Sequence, residues 1–250
     1  MRLKWILLTF LALWPSFVFC DGGVKVITNG SRQEKKIALT FDACPAHDAV
    51  VDWKVIQTLV QSKTPATLFL SGKWMSQYPD ATLYLATLPQ FELANHSYSH
   101  PHMTKLSNAS LKTEFEKTQE ILKGLTGTVA THFRPPYGEY DTHIVQVAQS
   151  LGLETVEYDL PSGDPDPTFT KDKLIHAVTS QTQNGSIIVM HMNGRGWHTA
   201  EALPEIIRRL AEKGFQFVTV SKLVGESHPT LQHKGYFYFL NHLPDNKSIL

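Results

Sequence analysis

The sequence predicts an α/β fold with a parallel sheet. Short apolar runs rich in β-branched and aromatic residues alternate with longer segments of helical periodicity from about residue 37 onwards. Such alternation is typical of strands joined by crossover helices. The chain of 250 residues also fits one large domain, and an α/β barrel commonly fills that length alone. A barrel fits this pattern better than an open sheet, although periodicity does not decide between them.

Seven strands and six helices are predicted. The strands lie at residues 37–41, 67–70, 91–94, 131–134, 154–158, 186–190 and 215–220. The helices lie at residues 49–62, 76–88, 109–123, 142–151, 171–181 and 200–213. We expect Asp141 and Thr170 to be N-caps, and Gly124, Gly152 and Gly214 to mark helix ends. Ligands of parallel sheets and barrels bind at the C-terminal ends of the strands, so chemistry is expected directly after a strand.

The charge balance argues against some classes of partner. Lys and Arg total 23, and Asp and Glu total 23, which gives a formal net charge of zero. A nucleic-acid binder that relies on phosphate neutralisation needs a basic surface, so no nucleic-acid partner is expected. The hydrophobic content of 42% is that of a globular domain. The sequence leaves the oligomeric state open.

Residues 1–20 have the pattern of a secretory signal peptide. Two basic residues precede an apolar run from Trp5 to Trp14, which Pro15 ends. Cleavage after Cys20 is the favoured interpretation; an uncleaved membrane anchor and a lipoprotein site at Cys20 are the alternatives. Cleavage would leave Cys44 as the single cysteine and exclude an intramolecular disulfide.

The predicted organisation follows from this leader. A signal peptide at 1–20 precedes a polar extension at 21–35, a domain at 36–224 and a tail at 225–250, to which no function is assigned. Export predicts a periplasmic or secreted protein of the bacterial envelope, with no stable membrane insertion after cleavage.

Two motifs follow predicted strands in the first half of the chain. Asp42 ends the first predicted strand, where a buried carboxylate is costly unless it has a partner, and this favours a catalytic role. The alternative is that Asp42 caps the next turn. His96 and His100 are four residues apart, so they can meet on one face of a helical turn and bind one cation. The alternative is a pair of exposed loop histidines. Pro101 bends the chain before His102, which is therefore not an expected ligand.

Three further motifs follow later strands. Arg134 opens an Arg-Pro-Pro-Tyr-Gly segment, whose stiffness suits presenting Arg134 and the Tyr137 N–H to a site, or simply makes a rigid connection. Asp164 follows the next predicted strand, where a ligand is expected to bind. An Asx turn before Pro165 explains an aspartate at this position nearly as well as a role in the site. His191 ends an apolar strand and is a proton donor with a carboxylate partner, or a core histidine. Tyr137 and Trp197 offer an aromatic platform for a sugar ring, or belong to the core.

Together these motifs resemble those of the NodB-type polysaccharide deacetylases, carbohydrate esterase family 4. The resemblance covers residues 36–223 and is carried by the segments 40–45, 96–100, 134–138, 159–164 and 189–191. It implies a distorted (β/α) barrel of about seven parallel strands. It also implies a divalent metal, usually zinc, with cobalt or nickel as alternatives.

The first motif departs from the family pattern. The family has a second, metal-binding aspartate where this chain has Ala43, and a glycine where it has Cys44. Alanine cannot coordinate a metal. Asp48 is the expected replacement ligand, ahead of Cys44 and His47, with water as the fallback. Pro165 replaces the tryptophan that often follows the fourth-motif aspartate, so the surroundings of Asp164 are expected to differ.

The resemblance implies an exported, metal-dependent hydrolase that removes N-acetyl groups from a polysaccharide such as peptidoglycan, a chitin-like polymer or an exopolysaccharide. The resemblance implies catalytic Asp42, Arg134, Asp164 and His191 and metal ligands His96 and His100. Asp48 completes the expected metal ligands, and Tyr137 and Trp197 are the expected substrate-binding residues. An O-acetyl esterase of the xylan type would use the same residues. A silent glycan-binding domain is a third interpretation, motivated by Ala43.

Overall fold

The computed structural model describes residues 25–45 and 50–225. The described strands are β1 Val26–Ile27, β2 Lys36–Ala43, β3 Ala66–Leu70, β4 Phe91–Asn95, β5 His132–Phe133, β6 Glu154–Val156, β7 Leu160–Pro161, β8 Ile187–His191 and β9 Gln216–Phe217. The helices are α1 Trp53–Gln61, α2 Gly72–Gln77, α3 Pro79–Ala86, α4 Asn108–Thr126, α5 Thr142–Ser150, α6 Lys171–Gln181, α7 Thr199–Glu212 and α8 Val220–Val224. The predicted signal peptide, Asp48 and residues 226–250 of the predicted tail lie outside the described residues.

The described strands form one parallel sheet. Their order is β1-β6-β5-β4-β3-β2-β8-β7, and β9 pairs with the first residues of β2. The sheet curls into a half-barrel with helices packed against it, so the predicted α/β fold with a distorted barrel is confirmed. The carboxyl ends of the parallel strands therefore collect at one end of the barrel.

Strand β2 lies between β3 and β8 in the sheet, and its alternation shows which side chains reach the barrel interior. Alternate residues of a strand point to opposite faces. Ile37, Leu39 and Phe41 belong to the large apolar cluster formed with the helices, whereas Ala38 belongs to a second, smaller cluster. Asp42 lies four residues beyond Ala38 and therefore shares its face, inside the barrel.

The register of β2 places Asp42 between two neighbours. Asp42 pairs with Phe69 of β3 on one side and with His191 of β8 on the other. Two residues separated by almost 150 positions in sequence thus become neighbours, because β2 and β8 are adjacent strands whose ends coincide. The main-chain ladder, rather than a flexible loop, fixes the Asp42–His191 juxtaposition.

Two helix limits differ from the prediction. The helix expected at residues 76–88 is interrupted at Tyr78, which has φ −126° and ψ 60°. The cause is Pro79, since the residue before a proline disfavours the helical region. The predicted end at Gly124 is also wrong: α4 continues past it to Thr126 and ends at Gly127, which takes a left-handed φ of 75°.

The remaining differences concern short elements at the sheet edges. The strand predicted at 215–220 is limited to β9, because Thr219 caps α8 through its side chain. Strands β1 and β7 were not predicted, and β1 comes from the segment expected to be a polar extension. The capping predictions at Asp141 and Thr170 are confirmed, since each side chain accepts a hydrogen bond from the first turn of α5 and α6.

A close backbone contact joins the segment after β1 to the segment before β8. The Gly30 N–H donates to the Gly185 carbonyl at 2.8 Å, and Asn29 bridges to Ser186. Gly185 has φ 75°, and a Cβ there would lie 2.6 Å from the Gly30 carbonyl oxygen. This contact ties the segment after β1 to the start of β8, whose far end carries His191.

We predict that Gly185→Ala destabilises the fold by more than Gly127→Ala. Both positions have φ 75°, so each alanine costs about 1 kcal/mol in backbone strain, but no atom of the described part of the chain lies within 4 Å of a Cβ at Gly127. The clash at Gly185 should add a further ~1–3 kcal/mol. Urea unfolding of both variants measures the difference, and equal losses would show that the contact at Gly185 relaxes freely.

Candidate active site

A cavity of about 280 Å³ opens at the C-terminal ends of the strands. Its wall includes most of the residues that the sequence singled out, namely Asp42, His96, His100, Arg134, Tyr137, Asp164 and His191. They come from β2 and β8 and from the segments that follow β4, β5 and β7. The structure therefore brings five separate sequence motifs to one site.

Asp42 and Arg134 form a buried ion pair at the base of this cavity. Arg134 Nη1 donates to Asp42 Oδ1 at 2.8 Å and to Thr40 Oγ1 at 2.8 Å, and the side chains of Asp42 and Arg134 are 8% and 1% exposed. Burial alone raises the pKa of Asp42, but the charges of Arg134, His96 and His191 and the Arg134 hydrogen bond outweigh it and hold that pKa below 3.8. Asp42 is therefore an ionised carboxylate near neutral pH.

His96 presents one nitrogen to the cavity. Its Nδ1 lies 2.8 Å from the Arg134 carbonyl oxygen, which only accepts, so Nδ1 carries the proton. The lone pair is then on Nε2, 3.7 Å from Asp42 Oδ2. The His100 ring lies beside it, with 4.9 Å between ring centroids. The expected meeting of the two imidazoles is observed.

The backbone that achieves this meeting is not the helical turn we expected. Ser97 and His100 both have φ 60°, in the left-handed region, and the segment is irregular. Side chains hold it in place: Asn95 Oδ1 accepts from the Ser97 N–H at 2.9 Å, and Glu114 accepts from the Ser99 N–H at 2.7 Å. Backbone strain of this kind is typical of functional sites.

These imidazoles suit a metal ion. Burial lowers the pKa of His96, and burial together with the charge of His96 lowers that of His100 to about 3, so both are neutral, as metal ligation requires. The described residues contain no set of three metal-binding side chains, and Asp48 lies outside them. Burial, then the charge of Asp42, raises the pKa of Cys44, whose sulfur accepts from Asn193 Nδ2 at 3.2 Å. Cys44 is therefore a thiol, the form less suited to ligation.

His191 and Asp164 form a second pair across the cavity. His191 Nδ1 donates to Asp164 Oδ1 at 2.9 Å, and Asp164 Oδ2 accepts from the His191 N–H at 2.7 Å and from Thr199 Oγ1 at 2.6 Å. Burial lowers the pKa of His191, but the hydrogen bond and charge of Asp164 outweigh it, so the net shift is upward. The hydrogen bond to Asp164 orients the His191 ring through Nδ1 and leaves Nε2 without a contact to that carboxylate.

The Arg-Pro-Pro-Tyr-Gly segment places Tyr137 at the cavity mouth. Tyr137 has φ 62°, and its N–H has no hydrogen-bond partner among the described residues. The ring stacks on His102 at 4.4 Å and meets His100 edge-on at 4.5 Å. His102 thus covers part of the surface that we expected to serve as a sugar platform, although the ring remains 54% exposed.

Trp197 lies outside the cavity wall. Its side chain is 59% exposed, and its N–H donates to the Asp164 carbonyl oxygen at 3.1 Å. The sequence analysis missed Arg195, which lines the cavity, and Asn193, which is buried beside it. Both follow the strand that ends in His191, so the criterion of position after a strand would have found them.

Comparison with known proteins places this site in a family. The model of the polysaccharide deacetylase family matches residues 29–156. The chain belongs to the polysaccharide deacetylase family. It is 32% identical over 194 residues, 76% of its length, to the peptidoglycan-N-acetylmuramic acid deacetylase PdaC of Bacillus subtilis. It is 33% identical over 186 residues, 74% of its length, to a bifunctional xylanase/xylan deacetylase of Cellvibrio japonicus.

A solved structure supports the same family. The Bc1960 peptidoglycan N-acetylglucosamine deacetylase is 28% identical, with a TM-score of 0.76, over 81% of this chain and 94% of that one. This polysaccharide deacetylase chain spans only 39% and 27% of the length of the two relatives from Bacillus and Cellvibrio. Within the described residues, every helix is too short or too polar to cross a bilayer.

Glu157 is an unexpected carboxyl group behind the site of this family member. It is 6% exposed, its Oε1 has no hydrogen-bond partner among the described residues, and its Oε2 lies 3.5 Å from where a Cβ on Gly138 would be. Its backbone carbonyl accepts from Arg134 Nη2 at 3.3 Å. Burial, which the charge of Arg134 only partly offsets, raises the pKa of Glu157 to about 7.

We predict that Glu157→Gln stabilises the protein at alkaline pH. The pKa of Glu157 is near 7 in the folded protein and 4.5 in the unfolded chain. The contribution of its neutral carboxyl to the free energy of unfolding is therefore fully present below pH 4.5 and is lost as the pH rises through 7. The loss should approach about 3 kcal/mol, and glutamine cannot ionise. Urea unfolding with chelator at pH 4.5 and pH 8.5 measures it. A difference between variant and wild type that is the same at both pH values would contradict the prediction.

Proposed function

We propose that this chain is an exported, metal-dependent hydrolase that removes N-acetyl groups from a polysaccharide of the bacterial envelope. The observation that carries the proposal is the ionised Asp42 beside two neutral imidazoles, with the His191–Asp164 pair in the same cavity. This set supplies a base, cation ligands and an acid, which a domain that only binds glycans would not need.

Hydrolysis of an amide must overcome a weakly electrophilic carbonyl and a poor leaving group. Asp42 is the general base that takes the proton of the attacking water, and Arg134 holds it ionised and oriented. The Tyr137 N–H is free to donate to the oxygen of the tetrahedral intermediate. His191, oriented and charged through Asp164, donates its Nε2 proton to the departing amine.

A divalent cation, zinc in the first place and cobalt or nickel as alternatives, would be held by His96 and His100. When bound, it polarises the acetyl carbonyl and lowers the pKa of water. Because Ala43 offers no donor and Cys44 is a protonated thiol, Asp48 is proposed as the third protein ligand. The hydrogen bond from His96 Nδ1 to the Arg134 carbonyl is the outer contact that usually orients a ligating histidine.

An O-acetyl esterase is the second candidate. It is favoured by the similarity to the xylan deacetylase of Cellvibrio japonicus, and its chemistry needs the same base and cation. The N-acetyl activity is preferred because His191 is held as an acid, which an amine leaving group needs more than an alcohol does. The signal-peptide pattern of residues 1–20 supports an envelope location, where peptidoglycan is an accessible N-acetylated polymer.

We predict that the purified protein with added zinc or cobalt releases acetate from N-acetylated oligosaccharides faster than from acetylated xylan. Asp42→Asn should reduce the rate by a factor of about 10²–10⁴, since it removes the base, and leave metal content nearly unchanged. Asp80→Asn on the exposed face of α3 is the matched control and should retain full activity. Circular dichroism checks folding, because the change leaves a buried Arg134 charge unpaired.

Acetate release from xylan alone would favour the esterase. No release from any acetylated glycan by a protein that binds metal would favour the silent domain. Full turnover by a folded Asp42→Asn variant would exclude Asp42 as the base.

Metal binding supplies a separate prediction. His96→Ala, His100→Ala and Asp48→Ala should each weaken zinc affinity by about 100-fold or more, because each removes a ligand. His176→Ala, an exposed histidine on α6, should leave affinity unchanged. Competition with a zinc-binding dye measures all four variants. Unchanged affinity in Asp48→Ala alone would exclude it as the third ligand, and unchanged affinity in both histidine variants would exclude the proposed site.

A further inference from the structure

Arg195 is a cation of the cavity wall that the proposed mechanism does not use. It lies between β8 and α7 and shares the cavity with Asp42, His100 and His191. No carboxylate of the described residues lies within ion-pair distance of its guanidinium. A charged side chain is thus presented to the site without a counter-charge from the described part of the protein.

The backbone on both sides of Arg195 is fixed. Asn193 is 1% exposed, its Nδ2 donates to the Cys44 carbonyl at 2.8 Å, and its Oδ1 accepts from the Arg195 N–H at 3.4 Å. Gly196 follows, packed so closely that a Cβ would lie 2.7 Å from Asp164 Oδ2. The exposed Arg195 is therefore attached to the site through an anchored backbone, since Asn193 is bound to Cys44 and Gly196 is packed against Asp164.

The charge of the cavity wall is unbalanced. Asp42 is paired with Arg134, and Asp164 with His191, so both carboxylates on the wall are engaged. Arg195 adds a positive charge, and a divalent cation on the histidines would add one more after the charge of its proposed ligand Asp48 is subtracted. A cleft with one sign of charge concentrates ligands of the opposite sign. The planar guanidinium also matches a carboxylate through two parallel hydrogen bonds.

We propose that Arg195 binds a carboxylate substituent of the glycan and makes the enzyme prefer acidic N-acetylated sugars over neutral ones. The class comprises sugars in which a lactyl ether or a uronic acid lies close to the acetamido group. The inference rests on the proposed function. Arg195 acts as a specificity-determining residue, and its contribution lies in KM for acidic substrates rather than in kcat.

The test compares two oligosaccharides that differ only in charge. One alternates N-acetylglucosamine with its 3-O-lactyl acid, and the other carries the lactyl group as its primary amide. Deacetylation of each is followed by mass spectrometry for the wild type, Arg195→Gln, Arg195→Lys and the control Lys123→Gln, an exposed charge on α4. We expect the wild type to prefer the acid by about 10-fold in kcat/KM.

Arg195→Gln should abolish this preference through KM for the acid, leaving turnover of the amide intact. Arg195→Lys should retain part of it, and Lys123→Gln all of it. Equal rates on acid and amide by the wild type would overturn the inference. So would an equal fall in kcat on both substrates in Arg195→Gln, which indicates a role toward the reacting acetyl group.

A binding measurement separates this inference from the proposed function. Calorimetry of the acid and amide oligosaccharides with the zinc-loaded protein needs no turnover. If no glycan is hydrolysed but Arg195→Gln still weakens binding of the acid alone by about 10-fold, the proposed function fails and the carboxylate site stands. Equal affinities for acid and amide in the wild type overturn the carboxylate site whatever the activity.

Discussion

The buried ion pair of Asp42 and Arg134 is the interaction on which the site depends. Removing two charges from water is costly, and their attraction repays the cost only when the geometry is good and the remaining hydrogen bonds are made. Arg134 makes most of these hydrogen bonds: its Nη1 donates to Asp42 and Thr40 of β2 and its Nη2 to the backbone carbonyl of Glu157, whereas its Nε has no hydrogen-bond partner among the described residues. The same guanidinium therefore ties together separate strands and keeps one carboxylate ionised. Loss of either partner would leave an uncompensated buried charge.

The other groups are arranged around that pair by short, direct contacts. The carbonyl of Arg134 accepts from His96 and fixes which imidazole nitrogen faces the cavity. On the other side, the register of β2 against β8 places His191 beside Asp42, while Asp164 orients the His191 ring. Base, cation ligands and acid are thus positioned by main chain and buried hydrogen bonds, which limits the reorganisation needed during a reaction.

The sequence was sufficient to predict the elements that depend on local motifs or on hydrophobic periodicity. Asp42, Arg134 and His191 were found because each lies at or directly after a strand, and a parallel sheet gathers such positions at one end. Features that depend on distant contacts were not predictable. The left-handed backbone at Ser97 and His100 is held by side chains such as Glu114, and the short strands β1 and β7 exist only through pairing with their neighbours. Burial of the Glu157 carboxyl likewise has no signal in the local sequence.

The ionisation of Asp42 is the most direct test of the account. A ¹³C NMR titration of the aspartate carboxyl carbons, with the resonance assigned through Asp42→Asn, would report it in the folded protein. The account predicts that Asp42 remains ionised at pH 4 and titrates below its ordinary pKa of 3.8, because Arg134 stabilises the carboxylate. A carboxyl that is still half-protonated above pH 5 would contradict it, since burial would then dominate over the ion pair.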